Sequence, residues 1–323
     1  MQSSEPFNLS LNRSEHERRI NEKLRRELGP NICRLLEDPD VIEIMLNPDG
    51  KLWVECLGAP MVSIGGLSAS QAESLMGTVA STLKTQITAQ NPILECELPL
   101  DGSRFEALIP PVVRSPTFTI RKKAIRIFSL DDYVDAGTMN SDQRDAIQAA
   151  VRNRRNILVV GGTGTGKTTL TNAITDYMTK VCPQDRLAII EDTGELQCNA
   201  PNAVTMRSVD HVDMTRLLKA TMRLRPDRIL VGEVRDGAAL ALLKAWNTGH
   251  PGGAATVHAN SAAAGLIRLE QLVAEATQAP MQSLIAEAID LIVSIGKESG
   301  KRRVQEVVLV EAYDGHAYVT KPV

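Results

Sequence analysis

The sequence has few aromatic side chains, because its 323 residues include only two Trp, four Tyr and four Phe. Proteins that bind single-stranded nucleic acid without sequence preference stack successive bases on such rings. The formal net charge is −3, with 36 Lys and Arg against 39 Asp and Glu, so the overall field does not favour a polyanion either. The composition therefore argues against direct binding of nucleic acid, although the basic run 121–123 is compatible with a local contact.

The sequence also lacks closely spaced cysteine pairs. No two of its five cysteines form a C-x-x-C arrangement, so neither a zinc site nor dithiol chemistry is indicated. An odd and dispersed set favours free thiols in a reducing cytoplasm. These residues are Cys33, Cys56, Cys96, Cys182 and Cys198.

A membrane-spanning segment is missing as well. No stretch approaches the ~20 apolar residues that such a helix needs, and the N-terminus lacks the apolar part of a signal peptide. The sequence therefore predicts a cytoplasmic protein whose membrane association would be peripheral. An amphipathic helix predicted over 13–28 carries a thin apolar stripe on a basic background. That face would either meet anionic lipid or simply be solvated.

The length predicts about two domains, at ~100 to 200 residues each. Residues 41–57 alternate as two strands around a turn at 47–50, residues 70–88 have helical spacing, and residues 104–121 are again strand-like. These patterns predict a smaller α+β domain over residues 1–125.

A different pattern follows. Residues 126–140 lack periodicity and resemble a linker, after which Ser141 is predicted to cap a helix. From residue 156, short and fully apolar runs alternate with helical stretches, as a mainly parallel sheet buried on both faces requires. The sequence therefore predicts an α/β domain over residues 141–323, ending in a hairpin that turns at 314–315.

A glycine-rich loop gives the strongest functional signal. Residues 161–168 read GGTGTGKT and satisfy G-x-x-x-x-G-K-[ST], between a strand-like run and a helical stretch. Such a loop lets successive backbone N–H groups face one anion, and the following helix directs its positive end to the same point. The alternative is a chance glycine-rich turn, which the flanking strand and helix disfavour.

The loop and the first turn of the helix supply the predicted nucleotide-binding residues. Lys167 would reach the β- and γ-phosphates, and the Thr168 hydroxyl would bind Mg²⁺. The full set is Gly161, Gly162, Thr163, Gly164, Thr165, Gly166, Lys167, Thr168 and Thr169.

Two further apolar runs end in carboxylates. Glu233 closes the run DRILVGE, and Glu191 and Glu195 belong to EDTGE, which follows LAII. Ligands of open α/β sheets bind at the carboxyl ends of the strands, so both groups would lie beside the glycine-rich loop. A solvated strand end explains either one alone. Two of them at one sheet edge favour a site that positions water and metal.

Two of the five histidines flank a glycine-rich turn in the segment GHPGGAATVH, residues 249–258. A single histidine of this kind is commonly a hydrogen-bonded structural residue. Near a γ-phosphate, however, His258 could donate to an oxygen and report hydrolysis. From the residues alone, both roles stay open.

Four segments in this order resemble a known family. They are GGTGTGKTT, IIEDTGEL, RLRPDRILVGEVRD and GHPGGAATVHA, and they are similar to the Walker A, Asp, Walker B and His boxes of the secretion and traffic ATPases. That superfamily powers type II secretion, type IV pili and type IV secretion. The resemblance covers about residues 40–315. The segments EIMLNPDGKLWVE and GSRFEALIPPVV are most similar to the conjugal-transfer ATPases of type IV secretion, the TrbB type.

The resemblance implies a RecA-like P-loop ATPase domain that uses ATP and Mg²⁺, binds ATP between the two domains and assembles as a homohexamer. It implies inner-membrane secretion components as partners. Glu233 would polarise the attacking water, and Glu191 and Glu195 would support metal and water. His258 would be the His-box residue, with His250 beside it.

The family also places arginines of the N-terminal domain at the nucleotide. In this sequence Arg104 and Arg121 match those positions best, and Arg114 is a weaker third candidate.

The sequence departs from related P-loop ATPases at two points, and these departures narrow the choice of branch within the superfamily. The Walker B run ends in Gly232-Glu233 where many P-loop enzymes have Asp-Glu, which leaves Thr168 and water as the metal ligands. The four-cysteine metal module of many type II secretion and pilus-assembly ATPases is absent, which argues against those branches.

The expected function is an ATPase motor that energises a conjugative type IV secretion system from the cytoplasmic side of the inner membrane. Two rivals stay open. One is a RecA-like nucleic-acid motor of the helicase type, which strong stimulation by single-stranded DNA would indicate. The other is a nucleotide-gated hexameric scaffold with little turnover.

Overall fold

The computed structural model of the chain describes residues 6–123, 127–209, 211–298 and 300–323, without the side chains of residues 6–17. The chain divides into two compact units, Met1–Arg126 and Ile127–Val323. The predicted boundary between the first domain and the linker falls at residues 125 and 126, outside the described residues.

In its described residues, the first unit consists of two helices and one antiparallel sheet with strand order β3-β2-β1-β6-β5-β4. A core of aliphatic side chains and two stacked phenylalanines joins the helices to the sheet. The elements are α1 (Pro6–Glu37), β1 (Val41–Leu46), β2 (Lys51–Cys56), β3 (Val62–Gly66), α2 (Ala69–Thr82), β4 (Ile93–Glu97), β5 (Arg104–Leu108) and β6 (Thr117–Arg121).

Helix α1 contains the predicted amphipathic segment. The backbone leaves helical geometry at Gly29, with φ 74° and ψ 167°, where the sequence places the end of the helix, and the helix then resumes to Glu37. Leu24 and Leu28 of its apolar stripe are buried in the core of the first unit. The stripe is therefore used for packing within this unit, and the described arginines at 18, 19, 25 and 26 are exposed.

The second unit, over its described residues, has seven helices and an eight-stranded sheet with order β14-β13-β12-β7-β11-β10-β8-β9. The elements are α3 (Leu130–Asp135), α4 (Ser141–Arg152), β7 (Ile157–Gly161), α5 (Lys167–Val181), β8 (Leu187–Glu191), β9 (Ala203–Arg207), α6 (Met214–Thr221), β10 (Arg228–Val231), α7 (Ala238–Asn247), β11 (Ala254–His258), α8 (Ala262–Ala274), α9 (Gln282–Ala288), β12 (Leu291–Glu298), β13 (Lys301–Tyr313) and β14 (Tyr318–Pro322).

Six neighbouring strands of this sheet, from β12 to β9, are parallel, and β13 and β14 extend it in antiparallel fashion. Every residue of β7, β8 and β10 is buried, because helices cover both faces. The predicted fold class, a mainly parallel α/β sheet preceded by a smaller α+β unit, is confirmed. The carboxyl ends of β7, β8, β10 and β11 lie on one edge of the sheet.

The predicted linker needs correction. Residues 130–135 form helix α3, whose Leu130 and Tyr133 are buried in the core of the second unit. Six residues are too few for an apolar period of 3.6 to show in the sequence. The cap of α4 also shifts by one position. Asn140 is the N-cap and accepts a 2.8 Å hydrogen bond from the Gln143 amide, and Ser141 is the first helical residue.

No helix among the described residues is long and apolar enough to cross a membrane.

A buried arginine ties together the amino-terminal edge of the second sheet. Arg228 is fully buried, and its Nε donates to Asp185 Oδ2 at 2.6 Å. Its Nη1 donates to the carbonyl oxygens of Val151 at 3.1 Å and Gly252 at 3.0 Å. We expect Arg228→Ala to lower the free energy of unfolding by about 3–5 kcal/mol, because it leaves a buried carboxylate and two carbonyls short of a donor. Denaturant unfolding followed by circular dichroism measures this.

The control is Arg303→Ala, whose side chain is 62% exposed. It should change the free energy of unfolding by less than about 1 kcal/mol. Equal effects of the two variants would contradict the role given to Arg228.

Candidate functional site

The glycine-rich loop joins strand β7 to helix α5 as predicted. Gly161 ends the strand, and Gly166 stands at the N-cap of α5 with φ 98°, a left-handed conformation that L side chains rarely adopt. A glycine cap has no side chain to bond the first amides of the helix, so those donors stay directed at the loop. Thr165 Oγ1 donates to the Gly162 carbonyl at 2.9 Å. The remaining predicted residues, Thr163, Gly164, Thr168 and Thr169, lie in this loop and in the first turn of α5.

Lys167 is buried at the base of the loop. Its Nζ donates to the carbonyl oxygens of Gly161 and Gly162, both at 2.9 Å, and lies 3.3 Å from His258 Nδ1. A buried ammonium group held at the start of a helix suits a ligand with clustered negative charge.

Glu233 and His258 are brought together, although 25 positions separate them in the sequence. Strand β11 pairs with β7 so that His258 stands opposite Gly161, and Glu233 follows the neighbouring strand β10. His258 Nε2 lies 2.8 Å from Glu233 Oε1. The three predicted residues Lys167, His258 and Glu233 therefore form one continuous chain of polar contacts beside the loop.

The charge state of His258 follows from this chain. Partial burial lowers its pKa, the neighbouring Glu233 carboxylate opposes that shift, and the positive charge of Lys167 adds to it. A lowered pKa keeps the imidazole neutral at neutral pH. The neighbours then fix the tautomer, because Nδ1 accepts from the Lys167 ammonium and Nε2–H faces the carboxylate.

Arg235 completes the arrangement and was missed by the sequence analysis. Its Nη2 donates to Glu233 Oε2 at 2.7 Å, and its Nη1 lies 4.0 Å from Asp192 Oδ2. The hydrogen bond to Glu233 raises the pKa of Arg235 further. The signal was present in the sequence, since Arg235 stands two residues after Glu233, the interval at which extended backbone returns to the same side.

The two glutamates of the EDTGE segment make different contacts. Glu191, 2% exposed, ends β8, and its Oε1 accepts from the amides of Glu195 at 2.9 Å and Leu196 at 2.7 Å. Glu195 Oε2 accepts from the Thr168 hydroxyl at 3.2 Å. Glu191 thus holds the turn that carries Glu195 to the first turn of α5.

Gly232 stands where many P-loop enzymes have an aspartate. A Cβ at this position would lie 3.3 Å from Glu191 Cγ and 3.4 Å from its Oε1. A Cβ at position 232 would therefore stand against the buried Glu191 side chain, which would have to shift slightly to admit a larger residue.

The oxygen ligands near Thr168 suit Mg²⁺. The Thr168 hydroxyl and the Glu195 carboxylate are hard oxygen donors 3.2 Å apart, and Mg²⁺ in phosphate sites takes one or two protein oxygens with water and phosphate as the rest. Among the residues that the structure describes, no cluster of three or more His, Cys, Asp or Glu side chains forms a protein-only metal site. These residues fit an ion that arrives with a phosphate ligand.

A cleft of about 310 Å³ lies next to Glu233. Arg235 lines it together with several carboxylates. The lining residues are Asp192, Ser208, Val209, Asp213, Met214, Glu233, Arg235 and Asp236.

His250 lies away from this site, and its predicted place beside His258 is wrong. It precedes β11, and its Nδ1 lies 2.8 Å from the Pro226 carbonyl, just before β10. His258 is at the other end of the intervening strand β11, whose four residue steps span about 13 Å at ~3.3 Å each. The sequence shows only that a glycine-rich turn lies between the two histidines. It does not show whether both histidines lie at the same edge of the sheet.

Arg104 and Arg121 of the first unit are direct partners across strands β5 and β6. Each is flanked by a carboxylate on the next strand, Glu97 on β4 and Glu43 on β1. Burial raises the pKa of Glu43, and the Arg121 charge opposes that shift. The two predicted arginines therefore sit side by side on one face of their sheet, and Arg114 is exposed on the β5–β6 connection. Their role at a nucleotide stays a prediction.

Comparison with known proteins defines the class. The model of the family described as type II/IV secretion system protein matches residues 60–311, and the chain belongs to this family. It is similar to the probable conjugal transfer protein TrbB of Sinorhizobium fredii, with 54% identity over 300 residues that cover 93% of this chain and 92% of that protein. The type IV secretion system protein VirB11 of Bartonella quintana is 32% identical, covering 85% and 90%. The resemblance to this family stated from the sequence is confirmed.

Solved structures agree on the fold. The pilus retraction motor PilT, solved with ADP, matches with a TM-score of 0.61 and 19% identity, over 90% of this chain and 80% of that one. The Legionella pneumophila ATPase DotB matches with a TM-score of 0.59 and 18% identity, over 88% and 80%. At these identities the likeness concerns architecture, and it supports the expected P-loop ATPase fold.

Proposed function

We propose that this protein is a Mg²⁺-dependent ATP hydrolase that acts as a homohexameric motor of a conjugative type IV secretion system at the inner membrane. The observation that carries the proposal is the chain of contacts from Lys167 through His258 to Glu233 beside the loop 161–166. Membership of the secretion family and 54% identity to a protein named for conjugal transfer support the choice of system.

The residues divide the chemical work. The loop amides and Lys167 would bind the phosphates and offset their negative charge. Glu233 would accept a hydrogen bond from the attacking water and align it with the γ-phosphate. His258, neutral and in contact with both side chains, would connect the position of Lys167 to that of Glu233. Mg²⁺, held by Thr168 and Glu195, would supply further charge neutralisation when bound.

In this proposal Glu191 acts indirectly, through Glu195. Because its carboxylate holds the turn that carries Glu195, we assign it a positioning role and give Glu195 the contact with the metal shell. Arg104 and Arg121 remain the proposed N-terminal phosphate contacts. Replacing both by Ala should lower ATP turnover, and unchanged turnover would remove them from the site.

Arg235 gives the proposal a quantitative test. Its 2.7 Å hydrogen bond fixes one Glu233 oxygen, which leaves the other directed toward His258. A hydrogen bond to a charged group contributes ~1.5–3 kcal/mol. We therefore expect Arg235→Ala to lower kcat for ATP about tenfold, with KM changed less than about twofold because Arg235 itself does not hold ATP.

Arg235→Lys should restore part of kcat, since it keeps the charge but loses the planar fork. The exposed Arg223 provides a matched control as Arg223→Ala, which should behave like the wild type. A variant Arg235→Ala with undiminished kcat would show that Glu233 needs no such partner.

Phosphate release from ATP by the purified protein, with and without Mg²⁺, tests the enzymatic part directly. Turnover that depends on Mg²⁺ supports a motor. Negligible turnover together with nucleotide-dependent hexamers in light scattering would favour the scaffold, and strong stimulation by single-stranded DNA would favour a nucleic-acid motor. Cofractionation with the inner membrane in cells that carry the secretion system tests the proposed location.

A further inference from the structure

The β12–β13 hairpin reaches the glycine-rich loop with two cations. Lys297 and Arg302 are direct partners in the pairing of these strands. A Cβ placed on Gly164 would lie 3.9 Å from Lys297 Nζ, and one placed on Gly166 would lie 3.5 Å from Arg302 Nε. Both side chains are therefore in van der Waals range of the loop that is proposed to hold the phosphates.

Neither cation has an acidic partner among the residues that the structure describes. The nearby Glu298 pairs with Arg303 at 3.2 Å instead, and Arg302 Nε is buried without a hydrogen-bond acceptor in the described part of the chain. Like charges directly opposite each other across two strands destabilise a sheet. An anion bound at the loop would relieve that repulsion and satisfy the guanidinium.

The sheet order indicates which part of a nucleotide these cations face. Glu233 and His258 belong to β10 and β11, on one side of β7, whereas β12 lies on the other side. The γ-phosphate must lie on the side of Glu233, because that carboxylate is proposed to position the attacking water. The α-phosphate and nucleoside then extend toward the side of β12.

We propose that Arg302 and Lys297 bind the nucleoside half of the nucleotide, with their charges at the α-phosphate and the plane of the Arg302 guanidinium against the ribose and base. This inference rests on the proposed ATP site. It assigns contacts to a hairpin that no nucleotide-binding motif marks, and it gives the antiparallel extension of the sheet a function. Arginine suits the position because it can both pair with phosphate and stack on a planar ring.

Equilibrium binding of ADP and of inorganic pyrophosphate to the full-length protein separates the two halves of the nucleotide. For Arg302→Ala we expect ADP affinity to fall about tenfold or more, as the loss of one charge-assisted contact requires. Pyrophosphate, which lacks a nucleoside and would occupy the β- and γ-phosphate positions beside Lys167, should bind within about twofold of the wild type. Lys297→Ala, at an exposed position where folding is not at risk, should weaken ADP binding by a smaller factor.

Arg303→Ala is the matched control, because Arg303 is the next residue on the same strand and points to the opposite face. It should leave both affinities unchanged. Equal loss of ADP and pyrophosphate affinity in Arg302→Ala would place the cations at the outer phosphates and overturn the inference, as would unchanged affinity for both. A wild-type protein that binds no ADP would instead contradict the proposed function itself.

Discussion

Glu233→Gln is expected to bind ATP within about threefold of the wild-type affinity and to hydrolyse it about 100 to 10,000 times more slowly. Glutamine keeps the size of the side chain and can keep a contact with His258, but its amide accepts no proton and polarises water weakly. The loss should therefore appear in kcat. Phosphate release under saturating ATP, together with binding of a fluorescent ATP analogue, measures both quantities.

The matched control is Glu275→Gln, an exposed carboxylate at the end of α8. It should have wild-type turnover. If Glu233→Gln hydrolysed ATP at the wild-type rate, the catalytic assignment of Glu233 would be wrong, and the contacts with His258 and Arg235 would be structural.

Lys167→Ala is expected to abolish detectable ATP turnover and to lower ATP affinity about 10- to 150-fold, which corresponds to the ~1.5–3 kcal/mol of a hydrogen bond to a charged group. The lysine is buried and is held at the loop by the carbonyls of Gly161 and Gly162, so its ammonium has a fixed position at the phosphate site. Isothermal titration with ATP and a phosphate-release assay report the two effects separately.

Lys180→Ala provides the control on the same helix. Lys180 is in the last turn of α5, where its exposed side chain pairs with Asp176. It should change neither affinity nor turnover. Retained turnover in Lys167→Ala would contradict the assignment of the loop as the nucleotide site.

The sequence could predict the loop, both carboxylate strands and the sheet type because each is a local pattern. The glycine spacing defines a loop before a helix, and the fully apolar runs at β7, β8 and β10 are typical of strands buried on two faces. Since the carboxyl ends of parallel strands share one edge, the meeting of Glu233 with the loop also follows from sequence.

Short and irregular elements could not be predicted in this way. Strand β3 is exposed along its whole length and ends in two glycines, so only its first three residues carry a strand pattern. Helix α3 has only six residues, and β4 lies at the edge of its sheet. The positions of such elements depend on the surface against which they pack, which the local sequence does not contain.

Roles within the site also required the structure. The sequence treats Glu191 and Glu195 alike, yet Glu191 is buried and bonded to backbone amides, whereas Glu195 reaches Thr168. Arg235 lies in the Walker B-like segment, but only the structure shows its contact with Glu233. Arg302 belongs to no nucleotide-binding motif, and strand pairing brings it to the loop. His250 is the opposite case. Its position in the His-box segment suggested a place in the site, but strand β11 separates it from His258.

The central claim is that ATP is hydrolysed at the edge formed by the loop 161–166, Glu233 and His258. Phosphate release from ATP and Mg²⁺, measured in parallel for the wild-type protein and for Glu233→Gln at matched nucleotide occupancy, tests it most directly. The wild type should release phosphate over many turnovers, while the variant retains bound ATP and releases almost none. Absence of release from nucleotide-bound wild-type protein, or equal release from both proteins, would contradict the claim.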